Sequence, residues 1–65
     1  MNRRKIHIDG DVWTYLIGQT YVPIWSPDGK KSIVHGKDVI GIDSWNREEP
    51  IAPSDVRSYI EGHLI

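Results

Sequence analysis

The residues of this 65-residue chain with the potential to carry chemistry are three histidines and one acidic tripeptide. His7, His35 and His63 are evenly separated but far apart, without the i, i+4 spacing that makes helical zinc motifs specific. Asp9-Gly10-Asp11 resembles the opening of a calcium loop but lacks the later acidic ligand at the required spacing. We therefore interpret the histidines as surface or half-buried residues and the tripeptide as a turn, and we expect no metal site and no cofactor.

The sequence contains no motif that supports enzymatic catalysis. It has no cysteine nucleophile, and it lacks a dinucleotide-binding GxGxxG, a P-loop and a nucleophile elbow. The lack of cysteine also excludes disulfides and thiolate zinc sites, which is compatible with a reducing cytosol. We expect a protein that is not an enzyme and has no catalytic residues.

The stretch VWTYLIGQTYVPIWSPDGKK, residues 12–31, places aromatic side chains next to lysines. Four of the six aromatic residues of the chain lie in it, namely Trp13, Tyr15, Tyr21 and Trp25. Tyr and Trp are enriched at the centres of protein interfaces because one ring supplies a large apolar area and a polar tip. We predict a protein-binding surface whose anchors are Trp13, Tyr15 and Trp25, with Lys30 and Lys31 at its rim.

The same residue types support a second hypothesis, nucleic-acid binding. Aromatic rings on a sheet face can stack bases while basic side chains meet phosphates. The basic candidates are Arg3, Arg4, Lys30 and Lys31. The formal net charge of −1 opposes this hypothesis, because nucleic-acid-binding domains are usually clearly basic. A third class, sequestration of a small ligand between subunits, stays open, but no residue favours a particular ligand.

Length and composition predict a single domain, residues 1–65, without a membrane-spanning segment. A chain this short buries only about 60% of its unfolded surface, and without disulfides a homodimer is one remaining source of stability. No apolar run approaches the roughly 20 residues that span a bilayer. The basic N-terminal segment is not followed by the apolar core of a secretory signal. We expect a cytoplasmic protein.

Charge is distributed unevenly along the chain. Residues 1–37 carry six basic and three acidic side chains, whereas residues 38–65 carry two basic and six acidic ones. Such polarity can orient a partner or a second copy of the chain, although charges also simply solvate a surface.

Alternation of polar and apolar residues predicts an α+β fold, a small antiparallel β-meander of three to four strands closed by one C-terminal amphipathic helix. The predicted strands are residues 5–9, 12–17, 20–25 and 31–35. Pro53 favours the first position of the helix. The residues predicted to share the apolar face of that helix are Val56, Tyr59, Ile60 and Leu64. Residues 36–42 fit either a helical turn or a short strand, and residues 43–50, which include Trp45, are predicted to be a loop.

The second and third strands are predicted to form a tight hairpin. Gly18-Gln19 suits a two-residue type II′ turn, which places Tyr15 opposite Val22. Pro23 would then remove one hydrogen bond from a middle strand, so we expect a bulge or a sheet that pairs fully on one side only. The turn Ser26–Gly29 should begin the returning strand, because Pro presets φ at its second position and Gly suits the fourth.

Both faces of the predicted sheet are substantially apolar, and one short helix covers only one of them. The remaining face must meet another chain, or the segment that carries Trp45 must fold over it. In the second case the aromatic residues are mostly core and the partner site lies elsewhere.

Four segments, VWTYLIG, WSPDGKK, VHGKDVIG and IAPSDVRSYIEGHL, together resemble small accessory proteins encoded by tailed bacteriophages. The resemblance covers most of the chain and transfers no specific functional residues. It implies a compact protein in the cytoplasm of a bacterial host cell that binds and modulates a host factor or neutralises a host defence.

Overall fold

A computed structural model, which describes residues 3–65, contains a four-stranded antiparallel sheet and a layer of short helices. The strands follow one another in the order β1-β2-β3-β4: β1 (Arg4–Ile8), β2 (Asp11–Tyr15), β3 (Tyr21–Trp25) and β4 (Lys31–His35). The helices are α1 (Gly36–Ile40), α2 (Ile42–Asn46) and α3 (Pro53–Tyr59), and a π-helical turn (Ile60–Leu64) continues α3. The predicted α+β meander with a C-terminal helix is confirmed. Within residues 3–65, every helix is too short or too polar to cross a membrane.

The turn between β1 and β2 is the one that Asp9-Gly10 predicts. Asp9 and Gly10 have φ values of 50° and 83°, and Ile8 pairs with Asp11 across the turn. Two consecutive residues with positive φ match the right-handed twist of a two-residue hairpin. Asp9 and Gly10 therefore form the turn, and Asp11 begins β2.

The predicted register of the β2–β3 hairpin is wrong by two residues. Tyr15 pairs with Ile24 instead of Val22, and residues 16–20 form a wider loop. A type II′ turn needs a positive φ at its first central residue, and Gly18 does not have one. A shift of two preserves the side on which each side chain lies, so the predicted division of residues between the two faces survives.

Pro23 limits the pairing of β3 with β2. The Leu16 N–H donates to the Pro23 carbonyl at 3.0 Å, but Pro23 has no N–H to return the bond that an antiparallel pair normally exchanges. Regular pairing between β2 and β3 is accordingly confined to two residue pairs, whereas β3 pairs with β4 over all five residues. The expectation of a sheet that pairs fully on one side only is confirmed.

The β3–β4 turn is closed by local hydrogen bonds. The Gly29 N–H donates to the Ser26 carbonyl at 2.9 Å, and Gly29 has a φ of 92°, as predicted. The Asp28 carboxylate accepts from the Ser26 hydroxyl and from the Lys30 backbone N–H. These two hydrogen bonds lower the pKa of Asp28 below its ordinary value.

Alternation along the strands gives the sheet two distinct faces. The inner face is buried under the helices and consists of Ile6, Ile8, Trp13, Tyr15, Val22, Ile24 and Val34. The outer face carries the alternate strand residues Lys5, His7, Val12, Thr14, Tyr21, Pro23, Trp25, Lys31, Ile33 and His35. Two fully buried residues on the C-terminal helical segment, Val56 and Ile60, complete the core.

Residues 36–46 form two short helices separated by Gly41. The Gly41 N–H donates to the Lys37 carbonyl at 2.9 Å and closes α1, while the Gly41 carbonyl accepts from Trp45 at 3.0 Å and begins α2. Residues 36–42 are thus mainly helical, and the prediction of a loop from residue 43 is wrong for the part within α2. Five-residue helices have little intrinsic stability. Packing of the Trp45 ring on Gly36 therefore supplies the stabilisation that the local sequence lacks.

Helix α3 begins where Pro53 predicts. The Asp55 carboxylate accepts from the Ala52 N–H at 2.9 Å, and the Asp55 N–H donates to the Ala52 carbonyl at 3.0 Å. Together these bonds satisfy free backbone groups at the helix start. The Ile65 N–H bonds to the Ile60 carbonyl at 3.1 Å, an i to i+5 bond that widens the final turn.

Candidate binding face

The outer face combines exposed apolar side chains with positive charge. Its charged strand residues within residues 3–65 are Lys5 and Lys31, both basic, and Arg3 lies against it from the segment before β1. The six acidic residues from position 38 onward all lie in the helices and the segments that join them. The uneven charge of the sequence is therefore also a separation in space between sheet and helical layer.

Trp25 is the largest side chain on the outer face and is held by two cations. The Arg3 guanidinium carbon lies 3.9 Å from the ring centroid, and the Lys31 ammonium lies 5.5 Å from it. Cations within about 6 Å of an indole centroid are attracted by the ring quadrupole. The ring is half-buried and lies against both basic side chains.

Three further apolar side chains of the outer face are open to solvent. Ile33 is 62% exposed, Tyr21 is 55% exposed and Val12 is 38% exposed. Pro23 lies between β2 and β4 and pairs with Ile33. Exposed apolar side chains that lie next to one another are typical of an interaction surface, and Tyr21, Pro23 and Ile33 lie on the neighbouring strands β3 and β4.

The segment that carries Trp45 covers only one end of the outer face. The His35 ring lies between Tyr21, at a centroid distance of 5.4 Å, and Trp45, at 4.9 Å. Trp45 also packs directly on Gly36, where a Cβ atom would collide with the indole. Coverage by this segment, one of the two alternatives from sequence, thus reaches His35 and leaves Ile33 open.

The predicted anchors do not share one face. Trp13 is 8% exposed and Tyr15 is 2% exposed, both within the inner-face core, so for these two rings the core alternative holds and we remove them from the candidate interface. The reason is the period of two along β2, which turns Trp13 and Tyr15 to the same side as Ile24 and toward α3. Only Trp25 lies on the outer face.

The predicted basic residues are also divided. Lys31 and Arg3 lie at the outer face, whereas Arg4 pairs with the inner-face residue Tyr15 and Lys30 precedes Lys31 on the opposite side of the strand. The four candidates for phosphate contact therefore do not form one patch. Lys5, which pairs with Thr14, joins the outer face instead.

Sequence reasoning missed Ile33, Tyr21 and Val12 as members of the site. The signal was present, because alternation from Trp25 through the β3–β4 turn assigns Ile33 to the side of Trp25. A selection by aromatic type alone includes Trp13, which faces the core, and leaves out Ile33, which shares the outer face with Trp25.

The three histidines lie in separate elements. His7 is on β1, His35 ends β4 and accepts through Nδ1 from the Lys37 N–H at 3.1 Å, and His63 lies in the π-helical turn. In the part of the chain that the structure describes, no three His, Cys, Asp or Glu side chains are close enough to hold a metal ion.

No protein-family model, curated protein or solved structure matches this chain.

Proposed function

We propose that this chain is a non-enzymatic binding protein that occupies the surface of an acidic protein partner with the outer face of its sheet. The observation that supports the proposal most strongly is the combination on one face of open apolar side chains and exclusively basic charged strand residues within residues 3–65. Burial of the apolar residues supplies affinity, and the cations select an acidic partner and speed its association.

The centre of the face has the properties of an interface hot spot. Trp25 is held by Arg3 and Lys31 before any partner arrives, which reduces the conformational entropy lost on binding. Trp and Arg are also the residue types most enriched among hot spots. Ile33 and Tyr21 extend the apolar area on one side of this centre.

A second copy of the chain is a poorer occupant of the outer face. In a two-fold dimer the same patch meets itself, so Arg3, Lys5 and Lys31 of one copy would approach the same cations of the other. Like charges across an interface oppose association. The proposal therefore favours a different protein over a homodimer, and light scattering should give the mass of a monomer.

The resemblance to phage accessory proteins suggests where the partner is found. A phage-encoded protein of this kind acts in the cytoplasm of the infected bacterium, so we propose a host factor or a host defence protein as the partner.

Nucleic-acid binding is the second candidate, favoured by the exclusively basic charges of the outer-face strand positions within residues 3–65. The Trp25 ring is already engaged by two cations, which leaves it less free to stack a base. Titration with labelled DNA and RNA at two salt concentrations separates the candidates. Nucleic-acid binding should weaken steeply with salt through counterion release, and lack of binding at low salt removes this candidate.

A matched pair of variants tests the proposal in affinity capture from host lysate. Ile33→Glu adds one carboxylate at an exposed position of the outer face, and Ser58→Glu adds one at an exposed position of α3. We expect wild type and Ser58→Glu to enrich the same acidic protein and Ile33→Glu to lose it, with circular dichroism showing all three folded. Retention of that protein by Ile33→Glu would contradict the proposal.

A further inference from the structure

A small cleft lies on the side of the sheet opposite the outer face, where the end of the C-terminal helical segment meets the β3–β4 turn. We call it the Trp13 cleft. It measures about 240 Å³ and is lined by Trp13, Ser26, Lys30, Ser32, His63 and Leu64. This volume is slightly below the roughly 300 Å³ at which drug-sized ligand sites begin, so it suits a small molecule.

Polar residues occupy this cleft at positions where the inner face would otherwise be apolar. Ser32 lies opposite the buried Ile24, and Ser26 and Lys30 continue the same side beyond the strand ends, joined by a bond from the Ser26 N–H to the Lys30 carbonyl at 2.9 Å. Two small serines leave space that larger apolar side chains would fill. This end of the inner face is therefore open and carries hydrogen-bonding groups.

Hydrogen bonds within the β3–β4 turn hold the backbone of Lys30 and engage the carboxylate of Asp28. The Lys30 N–H donates to the Ser26 hydroxyl oxygen at 3.1 Å. The Asp28 carboxylate accepts a hydrogen bond from the Ser26 hydroxyl within the same turn and is not part of the cleft lining. Lys30 therefore lines the cleft, and the lining residues include no carboxylate, although the Asp28 carboxylate is close enough to Lys30 to be affected by its charge.

His63 is held at the opposite wall of the cleft. Its ring stacks on Tyr59 with a centroid distance of 4.5 Å and an interplanar angle of 25°. It belongs to the π-helical turn that follows α3. His63 and Lys30 thus line the cleft from two different parts of the chain, the π-helical turn and the β3–β4 turn.

We propose that the Trp13 cleft binds the phosphoryl group of a small phosphate monoester. The Lys30 ammonium, an imidazole N–H of His63 and the Ser32 hydroxyl supply donors to the phosphoryl oxygens. Trp13 and Leu64 offer apolar contacts to the organic part of the ligand. The site does not involve the outer face, so failure of this proposal would leave the proposed function unaffected, and the reverse also holds.

Titration of the wild-type protein with phenyl phosphate at constant ionic strength tests the site. The indole N–H signal of Trp13 in a nitrogen-15 correlation spectrum should move and saturate, the Trp25 indole should not move, and neutral phenol should have no effect. Lack of a saturable change at Trp13, or an equal change with phenol, would overturn the assignment.

Variants at the cleft test which groups bind. Lys30→Ala should weaken phenyl phosphate binding about tenfold or more, the equivalent of one charge-assisted hydrogen bond, whereas Lys37→Ala removes an exposed lysine from α1 and should leave binding unchanged. Ser32→Val fills the cleft and should abolish binding while the melting temperature is maintained or raised. If Ser32→Val fails to fold, Lys30→Ala decides the test, because Lys30 is exposed. Wild-type affinity in Lys30→Ala would contradict the proposal.

Discussion

The two faces of the sheet contain similar residue types but have opposite surroundings. Trp13 on the inner face belongs to the core cluster, whereas Trp25 on the outer face lies against the side chains of Arg3 and Lys31. Ile24 is completely buried and Ile33, one strand away, is largely exposed. Residue type alone thus does not determine the role of an aromatic or branched side chain here. Its position in the alternation of the strand does.

Two adjacent lysines show the same division. Lys31 extends over Trp25 on the outer face, while Lys30 lines the Trp13 cleft on the other side. A single step along a strand reverses the face. The sequence analysis predicts both lysines at the rim of one protein-binding surface, whereas in the structure they lie at two different candidate sites.

The largest difference between the faces should appear in stability. Trp13→Ala removes a buried ring from the core and should lower the free energy of unfolding by about 3–5 kcal/mol, whereas Trp25→Ala should lower it by only about 1 kcal/mol. Urea unfolding followed by circular dichroism measures both. Equal losses would mean that the two faces are equally important for the fold.

For partner binding, we expect Trp25→Ala to have a larger effect than Trp13→Ala, the reverse of their effects on stability. Trp25→Ala should weaken binding to the captured protein by about 2 kcal/mol or more, because it removes the proposed anchor. Calorimetric titration with the purified partner measures the change. Lys31→Ala and Lys30→Ala sharpen the comparison, since only the first should weaken this complex and only the second should weaken phenyl phosphate binding.

A separate variant tests whether Trp45 covers the His35 end of the outer face. Gly36→Ala introduces a Cβ atom that collides with the Trp45 ring, and it should lower the free energy of unfolding by about 1–2 kcal/mol, as overpacking does. Displacement of Trp45 should also change the chemical shifts of the His35 ring. An unchanged His35 spectrum would show that Trp45 does not cover this end.

The smallest expected effect concerns the turn that joins the two lysines to β3. Hydrogen bonds from Ser26 and Lys30 lower the pKa of Asp28 in the folded state, so their contribution to stability is present above the ordinary aspartate pKa of about 3.9 and is lost as the pH falls through the folded value. Asp28→Asn should therefore make the melting temperature slightly less sensitive to acid below that pH. An identical acid profile for wild type and variant would contradict this role.

Much of the fold follows from short-range patterns. Asp9-Gly10, Ser26–Gly29 and Pro53 each predict the turn or helix start that the structure has, because the backbone conformations they favour are local. The predicted register of β2 against β3 is wrong because Gly18 does not adopt the positive φ that the predicted two-residue turn requires. Helix α2 was missed because its stability comes from packing of Trp45 on a distant glycine.

The site was predicted less well than the fold. Of the residues assigned to the predicted protein-binding surface, Trp25 and Lys31 lie on the outer face, whereas Trp13 and Tyr15 belong to the core; protein binding itself stays a prediction. Alternation identifies which residues share a face of the sheet. Which of the two faces a single helix will cover depends on long-range packing. Once it is known which face the helices cover, alternation predicts that Ile33 is exposed.

Methyl signals of two isoleucines test most directly whether the outer face is open. In wild-type protein with a neutral paramagnetic chelate, the δ1 methyl of Ile33 should relax far faster than that of Ile24, to the same extent at low and high protein concentration. Protection of Ile33 to the level of Ile24, or protection that grows with concentration, would show that the chain itself covers this face and would contradict the account.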